Sequence, residues 1–310
     1  MSTKLPPKLR TTLLTISLLI AGFSCKQTNN PPPIATTGTP SNELPPLPNR
    51  MTFFESPCDL TDLDVRERLD RELLVNAYFQ SSTSLIIKRS TRYFPIIEPL
   101  LKAAGVPDDF KYLCVIESNL SNVTSPAGAA GFWQFMPFTA PEYGLKISNE
   151  VDERLHLEKS TQAACALIKS NYTLFNHWIN ACAAYNRGPG GLMSDLKGQH
   201  VEHFFDASMN PETSRYVFRI MAMKIILENP KAYGFHISPK ETYPPYQTQK
   251  ITLTTPITNL SEWASKRGFN LKIMRILNPW ILGNQLSGKS LPCILEIPRD
   301  KGQFKSPHTL

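Results

Sequence analysis

The sequence predicts a mainly α-helical protein, a long helical body followed by a small βααβ module. Three observations carry this. Apolar residues recur at helical spacing through most of residues 60–229, no alternating strand run of any length precedes residue 248, and after Pro244 and Pro245 the pattern changes to strand, helix, helix, strand. Composition agrees: of 310 residues, 41% are hydrophobic and 19% charged, which excludes wholesale disorder. A polytopic membrane protein is excluded because the single long apolar run lies at the extreme N-terminus. The formal charge of +7 suits a polyanionic polymer or an anionic lipid surface, and equally a general role in solubility.

In chain order, Lys4, Lys8 and Arg10 precede the apolar run Leu13–Phe23, which ends at Ser24 and Cys25. A charged start, a short apolar run and a small residue before a cut site describe a secretory signal over residues 1–24. Cys25 stands where a lipoprotein signal places the lipidated cysteine, although Gly22 occupies a position where such signals usually carry Leu. An uncleaved anchor, or an ordinary signal with an incidental Cys25, is the other reading. Residues 25–57 hold Pro31, Pro32, Pro33, Pro40, Pro45, Pro46 and Pro48 and read as an extended tether.

The helical body is expected over 58–240. Val65, Leu69, Leu73 and Ala77 repeat every four residues behind Thr61 or Asp62 as a cap. Ile96, Ile97, Leu100 and Leu101 follow Pro95, which reads as a helix start, and Gly105 ends that segment. Further helices are predicted near 107–119, 159–175, 178–186 and 211–228. The span 120–156 is rich in Gly, Pro, Ser and Asn and reads as a long, shaped loop. Cys58, Cys114, Cys165, Cys182 and Cys293 form no C-x-x-C pair, and most sit among apolar neighbours as buried thiols. His156, His177, His200 and His203 show no ligand spacing with them, so no metal is expected. The module at 248–299 comprises Ile251–Leu253, Asn259–Lys266, Leu271–Leu277 and Leu291–Pro298, and residues 300–310 read as a tail.

The chemistry is concentrated in the body. Phe110, Leu113, Cys114, Glu117 and Leu120 share one helix face, which sets the Glu117 carboxyl on an apolar surface. Burial without a cation raises a carboxyl pKa and suits a general acid. Taken alone, Glu117 reads first as a capped or solvated helix-end residue. The small-residue stretch Ser125–Gly131 and the following Phe132-Trp133-Gln134-Phe135-Met136 allow a backbone wall close to a bulky ligand. Trp133, Phe135 and Tyr185 offer apolar faces for sugar rings, and Gln134 and Asn186 offer paired donors and acceptors.

These residues resemble the lytic transglycosylases of the goose-lysozyme-like superfamily. Glu117-Ser118 resembles their first motif, Gly131–Gln134 the second, Ala184-Tyr185-Asn186 the third and Glu212–Val217 the fourth. Val151-Asp152-Glu153-Arg154 and Glu212–Val217 most resemble a membrane-bound branch of that family. The resemblance covers roughly residues 60–236. It implies a lysozyme-like helical catalytic domain and non-hydrolytic cleavage of the β-1,4 bond between N-acetylmuramic acid and N-acetylglucosamine. It also implies roles: Glu117 as sole catalytic acid and base, Ser125 polarising the muramic N-acetyl group, and Gln134, Tyr185 and Asn186 positioning Glu117 and the sugars. Ser118, Met136, Glu212 and Tyr216 would line or support the groove, with Tyr185 restraining Glu117 through its hydroxyl. Phe132-Trp133 replaces the usual Leu-Met, and Arg187 replaces a small residue; an Arg187 that reached Glu117 would lower its pKa.

Most glycosidases need two carboxylates. Here only Glu117 is placed for the chemistry, since Asp108 and Asp109 lie at the other end of its helix. The implied reaction therefore enlists the substrate's N-acetyl oxygen and its C6 hydroxyl, yields a 1,6-anhydro end and requires no cofactor. A hydrolytic muramidase of goose-lysozyme type and an inactive peptidoglycan-binding lipoprotein are the alternatives. The C-terminal module resembles a LysM repeat without the usual Gly-Asp-Thr-Leu turn, either binding glycan or packing on the body. The implied partners are peptidoglycan glycan strands and a membrane, not nucleic acid. The implied location is the bacterial envelope, at the outer membrane facing the periplasm.

Overall fold

The computed structural model describes residues 44–304. The signal, Cys25 and most of the tether lie outside the described residues. The tether's last part is not an extended spacer. Strands β1 (Arg50–Phe53) and β2 (Ser56–Asp59) form an antiparallel hairpin with Met51 opposite Cys58. Its turn residues, Phe54 and Glu55, adopt φ of 48° and 63° without a glycine. Burial offsets that strain: the Phe54 ring packs 4.1 Å from Phe53 and 4.3 Å from Phe110, and its N–H donates to Asp109. Asp109 in turn pairs with Lys224, a buried ion pair that fixes the start of the third helix.

Helix α1 (Leu63–Tyr78) is capped by Asp62, which accepts the Val65 N–H at 3.0 Å, and it buries Val65, Leu69, Leu73 and Ala77 as their spacing predicts. Helix α2 (Gln80–Ala104) begins fifteen residues before the expected start and runs through Pro95 and Pro99. Its buried face, Thr83, Ile86, Ile87, Ile97 and Leu101, continues on both sides of Pro95, so packing overrides the local cost of proline. Gly105, at φ 65°, ends it. Helices α3 (Phe110–Ser118), α4 (Leu157–Phe175), α5 (Trp178–Arg187) and α7 (Pro211–Glu228) match their predicted positions. Helix α6 (Pro189–Gly198) was not predicted, because Gly188-Pro189-Gly190-Gly191 reads as a loop; Pro189 instead supplies the first helical turn. The helices enclose one core in which Leu69, Ile97, Leu113, Ile168, Ala183 and Phe218 are fully buried.

The C-terminal module has a core of its own. Strands β3 (Thr248–Leu253) and β4 (Cys293–Pro298) pair antiparallel, with Ile251 opposite Leu295, around helices α8 (Leu260–Ser265) and α9 (Leu271–Leu277). The βααβ order is as predicted, yet the module is docked on the body. Val151, from the loop before α4, joins the module's core, and it pairs with Ile281 as an isolated β-bridge. The Asp152 N–H donates to the Trp280 carbonyl at 2.8 Å, and the Leu282 N–H donates to that of Glu150 at 2.9 Å.

Candidate active site

Glu117 sits in the last turn of α3, which Asn119 closes in the left-handed conformation at φ 51°. Around it are two buried thiols, Cys114 and Cys182, and the rings of Tyr185 and Tyr216. This apolar setting pushes the Glu117 pKa up to about 7, against a hydrogen bond from the Tyr216 hydroxyl and the nearby positive charge of Arg219; Glu212 adds a small push upward. The carboxyl thus exchanges its proton near neutral pH, and part of the side chain remains open to solvent. Burial and the Glu117 charge both keep Cys114, Cys182, Tyr185 and Tyr216 protonated.

One expected contact is reassigned. The hydroxyl on Glu117 belongs to Tyr216 of α7, and the Tyr185 hydroxyl instead donates to the Trp133 carbonyl at 2.7 Å. Tyr185 therefore ties the end of α5 to the motif loop beside the acid. Asn186, the next residue, bridges to α7: its Nδ2 donates to Glu212 at 3.1 Å and its Oδ1 accepts from the Thr213 hydroxyl at 2.9 Å. Arg187 turns away and pairs with Asp195 at 2.7 Å, so it does not depress the Glu117 pKa.

The loop that carries Ser125 and Gln134 is shaped by its backbone. Ser125 and Ala129 are paired through Ser125 N–H to Ala129 O at 2.8 Å, and the Ser125 hydroxyl accepts the Ala129 N–H at 3.1 Å. The Ser125 hydroxyl hydrogen is left to point elsewhere. Gln134, at φ 49°, donates its side-chain amide to the carbonyls of Val123 at 3.0 Å and Gly131 at 2.7 Å, which leaves its Oε1 as the acceptor. Met136 is half-buried at the end of the loop. Ser118 contributes no group to the cleft, because it is buried and donates to the Cys114 carbonyl within α3.

Two of the expected sugar platforms are core residues. Trp133 is fully buried and donates Nε1–H to the Thr161 hydroxyl at 2.9 Å, and Phe135 is buried beside Tyr143. Their aromatic character serves packing; the large apolar side chains exposed in this stretch are Val123 and Phe138. Among acids, Asp108 pairs with Lys111 and Asp109 with Lys224, so neither serves Glu117. The residues missed from sequence are Arg219 and Thr213, whose signal was their place one turn from Tyr216 and beside Glu212 in the fourth motif.

A family model described as "Transglycosylase SLT domain" matches residues 94–204, and one described as "Soluble lytic transglycosylase C-terminal LysM-like domain" matches residues 249–301. Over 241 residues the chain is 28% identical to membrane-bound lytic murein transglycosylase D of Escherichia coli strain K12, an alignment that covers 76% of this chain and 52% of that protein. The same figures hold for the protein of that name from Escherichia coli O6:H1. The chain spans about half the length of the curated relatives it matches.

Proposed function

We propose that the chain, which matches the transglycosylase SLT domain and, after it, the soluble lytic transglycosylase C-terminal LysM-like domain, is a peptidoglycan lytic transglycosylase. The observation that carries the reading is Glu117: a carboxyl with its pKa near 7, in an apolar pocket, held by Tyr216. In its protonated form Glu117 donates to the oxygen linking N-acetylmuramic acid to N-acetylglucosamine, and that C1–O bond breaks. The substrate's N-acetyl carbonyl, polarised by Ser125, stabilises the positive charge at C1. Glu117, now a carboxylate that accepts the Tyr216 O–H, takes the proton of the muramic C6 hydroxyl as that oxygen bonds C1. The products are a glycan with a free N-acetylglucosamine end and one with a 1,6-anhydro end, with no water consumed. Tyr216 offsets part of the cost of charge in the pocket, which is the work of a positioned donor at a developing charge.

Hydrolysis is the second reading, and Glu212 is the observation that favours it, as an exposed carboxylate held by Asn186 near Glu117 and available to activate water. The test of the acid role is Glu117→Gln, which keeps the shape but cannot release a proton. We expect no release of soluble fragments from purified sacculi while the variant still binds them; turnover within tenfold of wild type would remove Glu117 from the mechanism.

Envelope location, lipidation at Cys25 and attachment to the outer membrane on its periplasmic side complete the proposal, with the proline-rich segment giving the enzyme reach. The charged start, apolar run and Cys25 support it, and among the described residues no helix is long and apolar enough to cross a membrane. Cys25→Ala should move the protein from the membrane to the soluble fraction; retention with an uncut N-terminus would mean a signal anchor instead.

A further inference from the structure

The segment Val151-Asp152-Glu153-Arg154 stands out in sequence, and the proposed chemistry leaves it without a role. Its side chains are buried. Val151 belongs to the core of the C-terminal module. Glu153 accepts the Lys146 N–H at 2.8 Å and pairs with Lys159. Asp152 and Arg154 form a two-point ion pair, Nε to Oδ1 at 2.9 Å and Nη2 to Oδ2 at 2.7 Å. That leaves Nη1, which donates to the carbonyls of Gly128 at 2.7 Å and Phe135 at 3.0 Å. Both carbonyls belong to the loop that carries Ser125 and Gln134, one between those two residues and the other directly after Gln134. Gly131, between them at φ 82°, packs so closely on the Arg154 carbonyl that a Cβ would lie 1.9 Å from it.

The other side of the same segment is held by the module. The Asp152 N–H donates to the Trp280 carbonyl, and Glu150 accepts three hydrogen bonds, from the Ser287 N–H and from the hydroxyls of Ser287 and Ser290, at 3.1, 2.9 and 2.8 Å. The Asp152–Arg154 pair therefore lies between the module and the active-site loop and touches both.

We propose that Arg154 is a positioning residue of the active site, and that the LysM-like module is part of that site's scaffold, holding the Asp152–Arg154 pair that sets the loop of Ser125 and Gln134. The proposal rests on the transglycosylase reading. Arginine is required by geometry: a planar fork reaches the Asp152 carboxylate with two N–H groups while a third nitrogen reaches two carbonyls, which a lysine ammonium cannot do. Arg154→Lys keeps the charge beside Asp152 and loses the carbonyl contacts, so it separates positioning from charge balance.

The experiment uses the full chain and three proteins: wild type, Arg154→Lys, and the double variant Ser287→Ala with Ser290→Ala, which removes two of the three donors on Glu150. Amide hydrogen exchange is read by mass spectrometry over residues 123–137, together with kcat, KM and Tm. Both variants should lose protection in that loop, about tenfold or more, with α1 and α9 unchanged. Arg154→Lys should lower kcat about 10- to 100-fold with KM nearly constant, and the double variant should lower it by less. Wild-type exchange in the loop for either variant would overturn the coupling. A double variant that raises KM and leaves kcat alone would make the module a glycan-binding domain only. Loss of loop protection together with a wild type inactive on every glycan would leave the coupling standing and defeat the transglycosylase reading instead.

Discussion

Glu117 is held near its transition between acid and carboxylate by burial on one side and by Tyr216 and Arg219 on the other. The sign of each effect can be tested. Tyr216→Phe removes a bond that stabilises the carboxylate, so the pKa should rise further and the alkaline limb of kcat should move to higher pH, while turnover falls roughly a hundred- to a thousand-fold. A limb that moved to lower pH would contradict the assignment. Stability falls in the same direction, although replacing Glu117 affects the two oppositely. Because the folded-state pKa lies above the unfolded value of 4.5, the folded protein holds more protons between about pH 4.5 and 7, and stability is lost as pH rises through that window. Glu117→Gln should therefore leave Tm near wild type at pH 4 and raise it at pH 8, by roughly 2–4 °C for each kcal/mol recovered. Calorimetry at the two pH values checks this. At this scale the placement of the Glu117 carboxyl on an apolar face was legible, because the 110, 113, 114, 117, 120 face is a property of the helix alone. Its hydroxyl partner was not: whether Tyr185 or Tyr216 reaches Glu117 depends on how α5 and α7 meet α3, a contact nearly a hundred residues distant in sequence.

Among elements, the motif loop depends most sharply on one residue. Gly131 and Gly128 share positive φ, at 82° and 87°, but differ in space: Gly131 faces a backbone carbonyl, whereas at Gly128 the nearest atom to a Cβ is a Pro137 carbon at 3.7 Å. Gly128→Ala should cost about 1 kcal/mol from conformational strain, and Gly131→Ala on the order of 2–4 kcal/mol from strain plus displacement of the Arg154 chain. Equal losses in denaturant unfolding would show that space at Gly131 is not the constraint. The helices were readable where periodicity was unbroken, as in α1 and α7. They were misread where a local signal opposed the packing. Pro95 reads as a start but lies inside α2, and the glycines at 188–191 hid α6. The β1–β2 hairpin was invisible because its turn is Phe54-Glu55, without the Asn-Gly or Asp-Gly that marks such turns, and a remote contact with Asp109 holds it.

For the molecule as a whole, the junction of body and module holds a pH-sensitive contact. His156 stacks on Trp280 with centroids 5.6 Å apart, and burial, aided by Lys159 and Lys250 against Glu158 and Glu153, lowers its pKa to about 4. The unfolded chain then binds a proton that the folded chain does not between pH 6.5 and about 4, so stability is full above 6.5 and falls with pH through that window. In a Glu117→Gln background, which removes the opposing linkage, His156→Phe should flatten the dependence of Tm on pH over this range; an unchanged slope would place the acid sensitivity elsewhere. The module's order of strands and helices was evident in the sequence, but its attachment was not, since Val151, Asp152 and Trp280 meet only in the folded chain.

The central claim is that one carboxyl serves as acid and then as base, with the substrate's own C6 hydroxyl as nucleophile. Digestion of purified sacculi in ¹⁸O-labelled water, with mass spectrometry of the released fragments, tests it most directly. The account predicts unlabelled muramic ends lighter by one water than the hydrolytic product; ends carrying a single ¹⁸O would show that water attacks C1 and would contradict it.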